Sequence, residues 1–406
     1  MAWAHSVSYN LVDWIHLDIA LNPTDPDIDI NGCWSGSTTH LPNDKLAILY
    51  TGRDSKKHQV QNLATPKNPS DPFLREWAKS PLNPIISPSP DFDPKEFRDP
   101  TTAWLGPDKI WRIVIGAKMG NGKWAGLLFK SSDFENWTRS TKSPFSKLFE
   151  NNDLILECPD FFPVGINGSD GDNNYMNNND QYNYEKMKKK YALKSFPRTI
   201  VLSESGKQLI QWPIEEIEKL RSDEKVSLQN KELHSDSIFE ISGITASQVD
   251  IEVSFEIEVS ELEEAEPMNP SWINPQLLCN EKNSSVKGIF GPFGLKVLAS
   301  NDLSEQTSIF FHILKTNETE KKFKILMCSD QSRSSLRDGI DHSIVESFGG
   351  EGRSVITARV YPKLAINKGS HLYAFNNGTK SVKISNLNAW SMKNAQFESR
   401  IGQENF

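Results

Sequence analysis

Two short acidic segments, Phe97-Arg98-Asp99-Pro100-Thr101 and Leu156-Glu157-Cys158-Pro159-Asp160-Phe161-Phe162, hold the residues best equipped for chemistry. Each sets a carboxylate near a turn-forming proline, one beside an arginine and the other beside a cysteine. Cleaving a glycosidic bond with retention needs two carboxylates roughly 5–5.5 Å apart, one attacking the anomeric carbon and one protonating the leaving oxygen. The acid must keep its proton near working pH, which calls for partial burial or a neighbouring negative charge. Glu157 follows the apolar run Leu154-Ile155-Leu156, and Asp160 comes three residues later. In an extended chain those two side chains point to opposite faces, so a turn at Pro159 has to bring them together. The competing reading of Glu157 is an ordinary solvated glutamate.

Asp99 is the second carboxylate. Pro100 biases it toward an extended backbone, and Arg98 offers a rigid fork of donors beside it. An aspartate that accepts two sugar hydroxyls can orient a ring and stabilise oxocarbenium charge; the competing reading is a turn aspartate capping Thr101 and Thr102. Trp34 and Ser35, in Cys33-Trp34-Ser35-Gly36-Ser37, pair an indole face with a hydroxyl, the usual mix in carbohydrate sites. Core packing serves Trp34 equally well. The histidines lack metal-ligand spacing, and no glycine-rich phosphate loop, Gly-x-Ser-x-Gly elbow or Cys-x-x-Cys pair occurs. Neither a metal nor a cofactor is expected.

The elements that must position these residues read as β-strands. Short apolar or alternating runs at Lys45–Tyr50, Ile110–Gly116, Gly126–Ser131, Thr199–Leu202 and Gln208–Trp212 are broken by Pro, Gly and Asp/Asn clusters. Ser203–Gly206 reads as a hairpin loop. Pro213–Arg221, apolar at 214, 217 and 220, predicts one short helix and a domain junction. Beyond it, Ile251, Val253, Phe255, Ile257 and Val259 alternate with polar residues, as in a strand with one solvated face. Further runs at Gly294–Ala299, Ser308–Leu314, Phe323–Cys328, Ser354–Tyr361, His371–Phe375 and Val382–Ile384 suggest a β-sandwich. The expected domains are 1–213, a helical linker over 214–223, and 224–406. Between Gly165 and Tyr191 the composition turns to Asn, Asp, Tyr and Lys, too polar to bury much apolar area.

The 406 residues carry a net charge of −8 with a pI near 5.6 and a mean hydropathy of −0.52. Dispersed acidic residues argue against a nucleic-acid partner. No run approaches the roughly 18 apolar residues of a membrane span, so no membrane partner is expected. The N-terminus shows no signal peptide, yet Asn-x-Ser/Thr sequons stand at Asn136, Asn167, Asn283, Asn317 and Asn377. Of the four cysteines, Cys279 and Cys328 flank strand-like runs; they read either as one bridge or as two buried thiols.

These motifs resemble, in order, those of glycoside hydrolase family 32, the plant acid invertases. His5–Trp14, Cys33–Ser37, Tyr50–Gly52, Gln59–Asn62, Asp71–Trp77, Phe97–Trp104, Glu157–Val164, Ser195–Thr199, Gln211–Pro213, Asp341–Gly349 and Asn386–Ser391 all carry the likeness, which spans nearly the whole chain. The resemblance implies an all-β fold, a five-bladed β-propeller followed by a β-sandwich, and β-fructofuranosidase activity on sucrose or β-fructans by a retaining mechanism. It implies Glu157 as acid/base, Asp99 as the transition-state stabiliser that grips fructose hydroxyls, Arg98 as its support, and Trp34 and Ser35 in the sugar pocket. Pro159 resembles the cell-wall subclass, for which an extracellular, monomeric glycoprotein with a Cys279–Cys328 bridge is implied.

Three departures accompany the likeness. The family's attacking aspartate lies in an Asn-Asp-Pro-Asn-Gly segment that does not occur here, and the chain is expected to begin after it. An Asn-rich run replaces about two blades' worth of chain between Val164 and Ser195, and a shorter loss falls between Leu336 and Asp341. Five four-stranded blades need roughly 250–300 residues, so the propeller is expected to be incomplete and turnover impaired. The alternatives are a non-catalytic fructoside-binding remnant or a relative of the fructan exohydrolases.

Overall fold

A computed structural model describes residues 1–141, 158–159, 190–193, 197–269, 274–317, 322–334 and 344–399. By its internal contacts the chain forms two compact units, the first N-terminal but including the end of the chain from Gln396.

The first unit is a stack of antiparallel sheets. Strands β1 (Trp3–Val7) and β2 (Trp14–Leu21) pair with each other, and the terminal strand Phe397–Ser399 joins β2 in parallel. A four-stranded meander follows, of β3 (Cys33–Leu41), β4 (Lys45–Arg53), β5 (Gln59–Pro66) and β6 (Trp77–Lys79). The next sheet runs β7 (Phe92–Arg98), β9 (Trp111–Met119), β10 (Trp124–Ser131) and β11 (Thr138–Arg139), with β8 (Trp104–Leu105) also on β9. Leu21, Cys33, Ile48, Tyr50 and Ala64, with Trp3 and Trp77, fill the space between the first two sheets. On the other face of the meander, Ala47, Leu49 and Leu63 meet Phe97, Ile113, Ile115, Leu127 and Phe129. Because side chains alternate along each strand, a central sheet feeds two cores. Blades packed face to face in this way are the architecture of a propeller, and three blade sheets occur among the described residues where five make the full ring.

The second unit holds β12 (Lys190–Leu193), β13 (Pro197–Leu202) and β14 (Leu209–Pro213) in one sheet, with the Ser203–Gly206 hairpin as expected. This sheet falls on the N-terminal side of the junction read from the sequence at 213, yet its contacts group it with the C-terminal residues. The short helix is a 3-10 turn over Glu215–Leu220, and residues 221–223 of the expected linker already belong to β15 (Arg221–Leu233). One sandwich sheet orders β15, β24 (Val382–Met392) and β17 (Val249–Glu256); the other orders β16 (Ser237–Glu240), β23 (His371–Asn376), β18 (Phe293–Ala299), β19 (Thr307–Asn317) and β20 (Lys322–Asp330). Leu233, Leu295, Val297, Leu372, Ala374, Ile384, Leu387 and Ala389 form the buried layer between them. Ile251, Val253 and Phe255 pack against that layer while Glu252, Ser254 and Glu256 are exposed, as the alternation predicted. The strand ends at Glu256, however, and Val259, expected on the buried face, is exposed beyond it. Hairpin β21 (Ile344–Gly349) and β22 (Ser354–Arg359) is tied to β13 by the buried ion pair Arg198–Glu346. Cys279, on the helix Pro275–Glu281, is bridged to Cys328 on β20.

Candidate active site

β7 ends at Arg98, and the next residue, Asp99, is 4% exposed with its backbone in the left-handed region at φ 65°. The expected extended conformation before Pro100 is therefore not adopted. Two hydrogen bonds over-determine the unusual one: the Asp99 N–H donates to Thr51 Oγ1 at 2.9 Å, and its Oδ2 accepts the Cys158 N–H at 2.8 Å. A non-glycine residue held at such a φ with its side chain fixed is typical of strained functional positions.

A ladder of buried polar side chains makes that geometry rigid. Thr51 Oγ1 donates onward to Gln61 Oε1 at 2.9 Å, and Gln61 Nε2 donates to the Phe97 carbonyl at 2.8 Å. The Phe97 N–H in turn donates to Gln59 Oε1 at 2.8 Å. Thr51, Gln59 and Gln61 are all buried, so a broken rung would strand a desolvated donor or acceptor. Sequence reading assigned these three residues no role; the available signal was polar side chains inside otherwise apolar strands.

Arg98 is buried with its guanidinium 4.8 Å from the centre of the Trp124 ring. It pairs with Glu96, and its Nε stands 3.8 Å from Asp99 Oδ2. The positive charge is thus shared between two carboxylates and held by an aromatic face.

Trp34 and Ser35 sit in a β-bulge. Cys33 pairs with Gly52 and Gly36 with Tyr50, so these two residues together face the single residue Thr51. That is the same threonine that holds the Asp99 amide. Gly36 is required there, because a Cβ would fall 2.0 Å from the Leu49 carbonyl oxygen. Trp34 is half-buried and Ser35 exposed. The Trp3 indole N–H donates to the Trp34 carbonyl at 2.8 Å, and the Arg53 guanidinium lies over the Trp34 ring at 5.3 Å. Beneath the bulge, fully buried Asp29 accepts from Lys79 Nζ at 2.5 Å, Tyr50 Oη at 2.7 Å and the Thr24 amide at 3.0 Å. Burial pushes the Asp29 carboxyl up, but these donors outweigh it and hold it below the usual carboxylate range. Burial and the Asp29 charge push the Cys33 thiol up to about 12, which keeps it an inert packing group.

Arg98 and Asp99 adjoin, and the start of β3 that carries Trp34 and Ser35 meets them through Thr51. Glu157 lies outside the described residues, as does Asn167, and of the Asn317 side chain nothing is described. Asn136 is exposed in a turn, its Nδ2 donating to Asp133; Asn377 is half-buried and donates to the Ser284 carbonyl at 2.9 Å; Asn283 is half-buried.

Residues 1–174 match the Glycosyl hydrolases family 32 N-terminal domain and residues 216–391 the family's C-terminal domain. The insoluble β-fructofuranosidase isoenzyme CWINV1 of Arabidopsis thaliana is 44% identical, over 98% of this chain and 84% of its own length. A fructan 6-exohydrolase of Beta vulgaris is 41% identical, over 98% of this chain and 80% of its own. Each alignment runs over 497 residues, more than this chain's 406, so both relatives carry segments that it lacks. The crystal structure of fructan 1-exohydrolase IIa from Cichorium intybus superimposes with a TM-score of 0.85 at 39% identity, covering 98% of this chain and 90% of that one. A variant of that enzyme has been solved in complex with 1-kestose. The stacked blades, the sandwich that follows and the pinned Arg98-Asp99 turn all fall within these matches, and the chain belongs to glycosyl hydrolase family 32.

Proposed function

We propose that this chain handles the terminal fructosyl unit of sucrose or of a β-linked fructan, within the retaining chemistry of the β-fructofuranosidases. Asp99 accepts two fructosyl hydroxyls and stabilises the oxocarbenium charge, Arg98 steadies Asp99, Glu157 protonates the leaving oxygen, and Trp34 and Ser35 line the pocket. One observation carries most of this: the Cys158 amide, covalently joined to residue 157, donates to the Asp99 carboxylate at 2.8 Å. That bond ties Asp99 to the residue that follows Glu157 in sequence, which supports a shared site for the two carboxylates. Action as an extracellular monomer in the cell wall belongs to the same proposal. The names of the insoluble relatives support the location.

The attacking Asn-Asp-Pro-Asn-Gly segment does not occur in these 406 residues. Losing one member of a catalytic set costs orders of magnitude in turnover while binding persists. This polypeptide by itself is therefore expected to bind fructosides without efficient hydrolysis, which is the non-catalytic reading. Sucrose and inulin digests analysed for fructose, together with calorimetric titration of 1-kestose, test both parts. Binding that Asp99→Asn abolishes, with fructose at the blank level, is expected. A chain that binds no fructoside sinks the proposal, and fructose well above the blank sinks the loss of turnover.

A further inference from the structure

Arg53 stands at the end of β4 with its backbone clamped on both sides: its N–H donates to the Gly32 carbonyl at 3.0 Å, and its carbonyl accepts the Asn31 N–H at 2.9 Å. Residues two apart on a strand share a face. Arg53 therefore projects to the side on which Thr51 holds the Asp99 amide. The Trp34 bulge lies on that side too, since the guanidinium covers the indole at 5.3 Å. Three positions thus converge at one end of the meander: Trp34 below, Arg53 over it, and the Asp99 turn beside Thr51.

What sets Arg53 apart is that, among the described residues, no carboxylate balances its charge. Arg98 is balanced by Glu96 and Asp99, and Arg198 by Glu346. Among the described residues, no hydrogen bond or ion pair reaches the Arg53 side chain, and its Nε is buried with no acceptor at all. A guanidinium is a planar fork of five donors, suited to oxygens spaced as vicinal hydroxyls are. Stacking on an indole fixes its plane and lowers the entropy lost on binding. A cation next to the anomeric carbon would oppose the oxocarbenium charge that Asp99 is placed to stabilise, so its place is one sugar unit away.

Building on the function proposed above, we infer that Arg53 is a specificity-determining residue: it hydrogen-bonds the hydroxyls of the sugar unit attached to the fructosyl unit held at Asp99. Free fructose has no such unit. The test is calorimetric titration of the whole chain with fructose, sucrose and 1-kestose, in four forms: unsubstituted, Arg53→Met, Arg53→Lys and Asp99→Asn. Methionine keeps an aliphatic cover over Trp34 and removes every donor, so folding is preserved. In Arg53→Met, affinity for sucrose and 1-kestose should fall roughly tenfold or more, as for loss of a charged hydrogen bond, while fructose binding stays unchanged. Arg53→Lys should recover only part, because an ammonium cannot reproduce the fork. Equal loss for all three sugars in Arg53→Met overturns the inference, as does no loss while Asp99→Asn abolishes binding. Failure of the unsubstituted chain to bind any of them overturns the proposed function as well.

Discussion

The backbone N–H of Cys158 donates to the Asp99 carboxylate at 2.8 Å, closing a gap of 59 residues. Residue 158 turns there with φ at 45°, so both partners of this bond occupy left-handed backbone. The Cys158 side chain is exposed, whereas Cys33 is buried. A thiol reagent applied to the folded protein should therefore modify Cys158 and spare Cys33. Saturating fructose should slow that modification, and peptide mapping over time reads the rate. An unchanged rate under saturating sugar would place the sugar away from the Asp99–Cys158 contact.

Thr51 makes a sharper prediction, because one hydroxyl both receives the Asp99 N–H and donates to Gln61. Thr51→Val keeps the shape and removes both bonds in a fully buried setting. Urea unfolding should show a loss of about 1–3 kcal/mol, the usual cost of stranding buried polar groups. Thr51→Ser should restore most of the stability and fructoside affinity. Equal behaviour of the valine and serine variants would show that the ladder does not position Asp99.

The Cys279–Cys328 bridge closes a segment of 49 residues in the sandwich unit. The chain-entropy estimate for such a loop is about 4 kcal/mol. Reduction with dithiothreitol should lower the unfolding midpoint of the second unit while leaving that of the first in place. A shared, unshifted midpoint would contradict this.

Lys296 carries a pH signature. It is buried on β18, with Nζ 4.2 Å from the centre of the Phe375 ring and 3.3 Å from Ser308 Oγ. Burial first and the Arg333 charge second lower its pKa to about 8, partly offset by Asp330. Below pH 8 the amine is charged in both folded and unfolded chains, and the burial cost is fully present. Between about 8 and the ordinary value of 10.5 only the unfolded chain holds the proton, so stability rises with pH. The stability of the native chain relative to Lys296→Met should thus climb through that window. A flat or falling difference would mean the amine is solvated in the fold.

Much of the architecture was legible because strand alternation writes burial directly into sequence: Ile251, Val253 and Phe255 face the core and their polar neighbours face water. β15 escaped notice for the opposite reason. Its thirteen residues, Arg221–Leu233, turn only Val226, Leu228 and Leu233 toward the core, and the polar residues around them leave little apolar pattern to read. At the site, Asp99 and Arg98 stood out by type and spacing. Thr51, Gln59 and Gln61 did not, because their role comes from pairing across strands that sequence spacing does not register. The backbone of Asp99 was misjudged from Pro100 alone: a local steric bias yielded to two tertiary hydrogen bonds.

The most direct measurement is a crystal structure of this chain soaked with fructose or 1-kestose. Fructosyl hydroxyls should lie within hydrogen-bonding distance of the Asp99 carboxylate, roughly 2.6–3.2 Å, with the Glu157 carboxyl turned toward the same unit. A sugar bound elsewhere, or Glu157 facing away from the ring that Asp99 holds, would contradict the assignment of this turn as a fructosyl site.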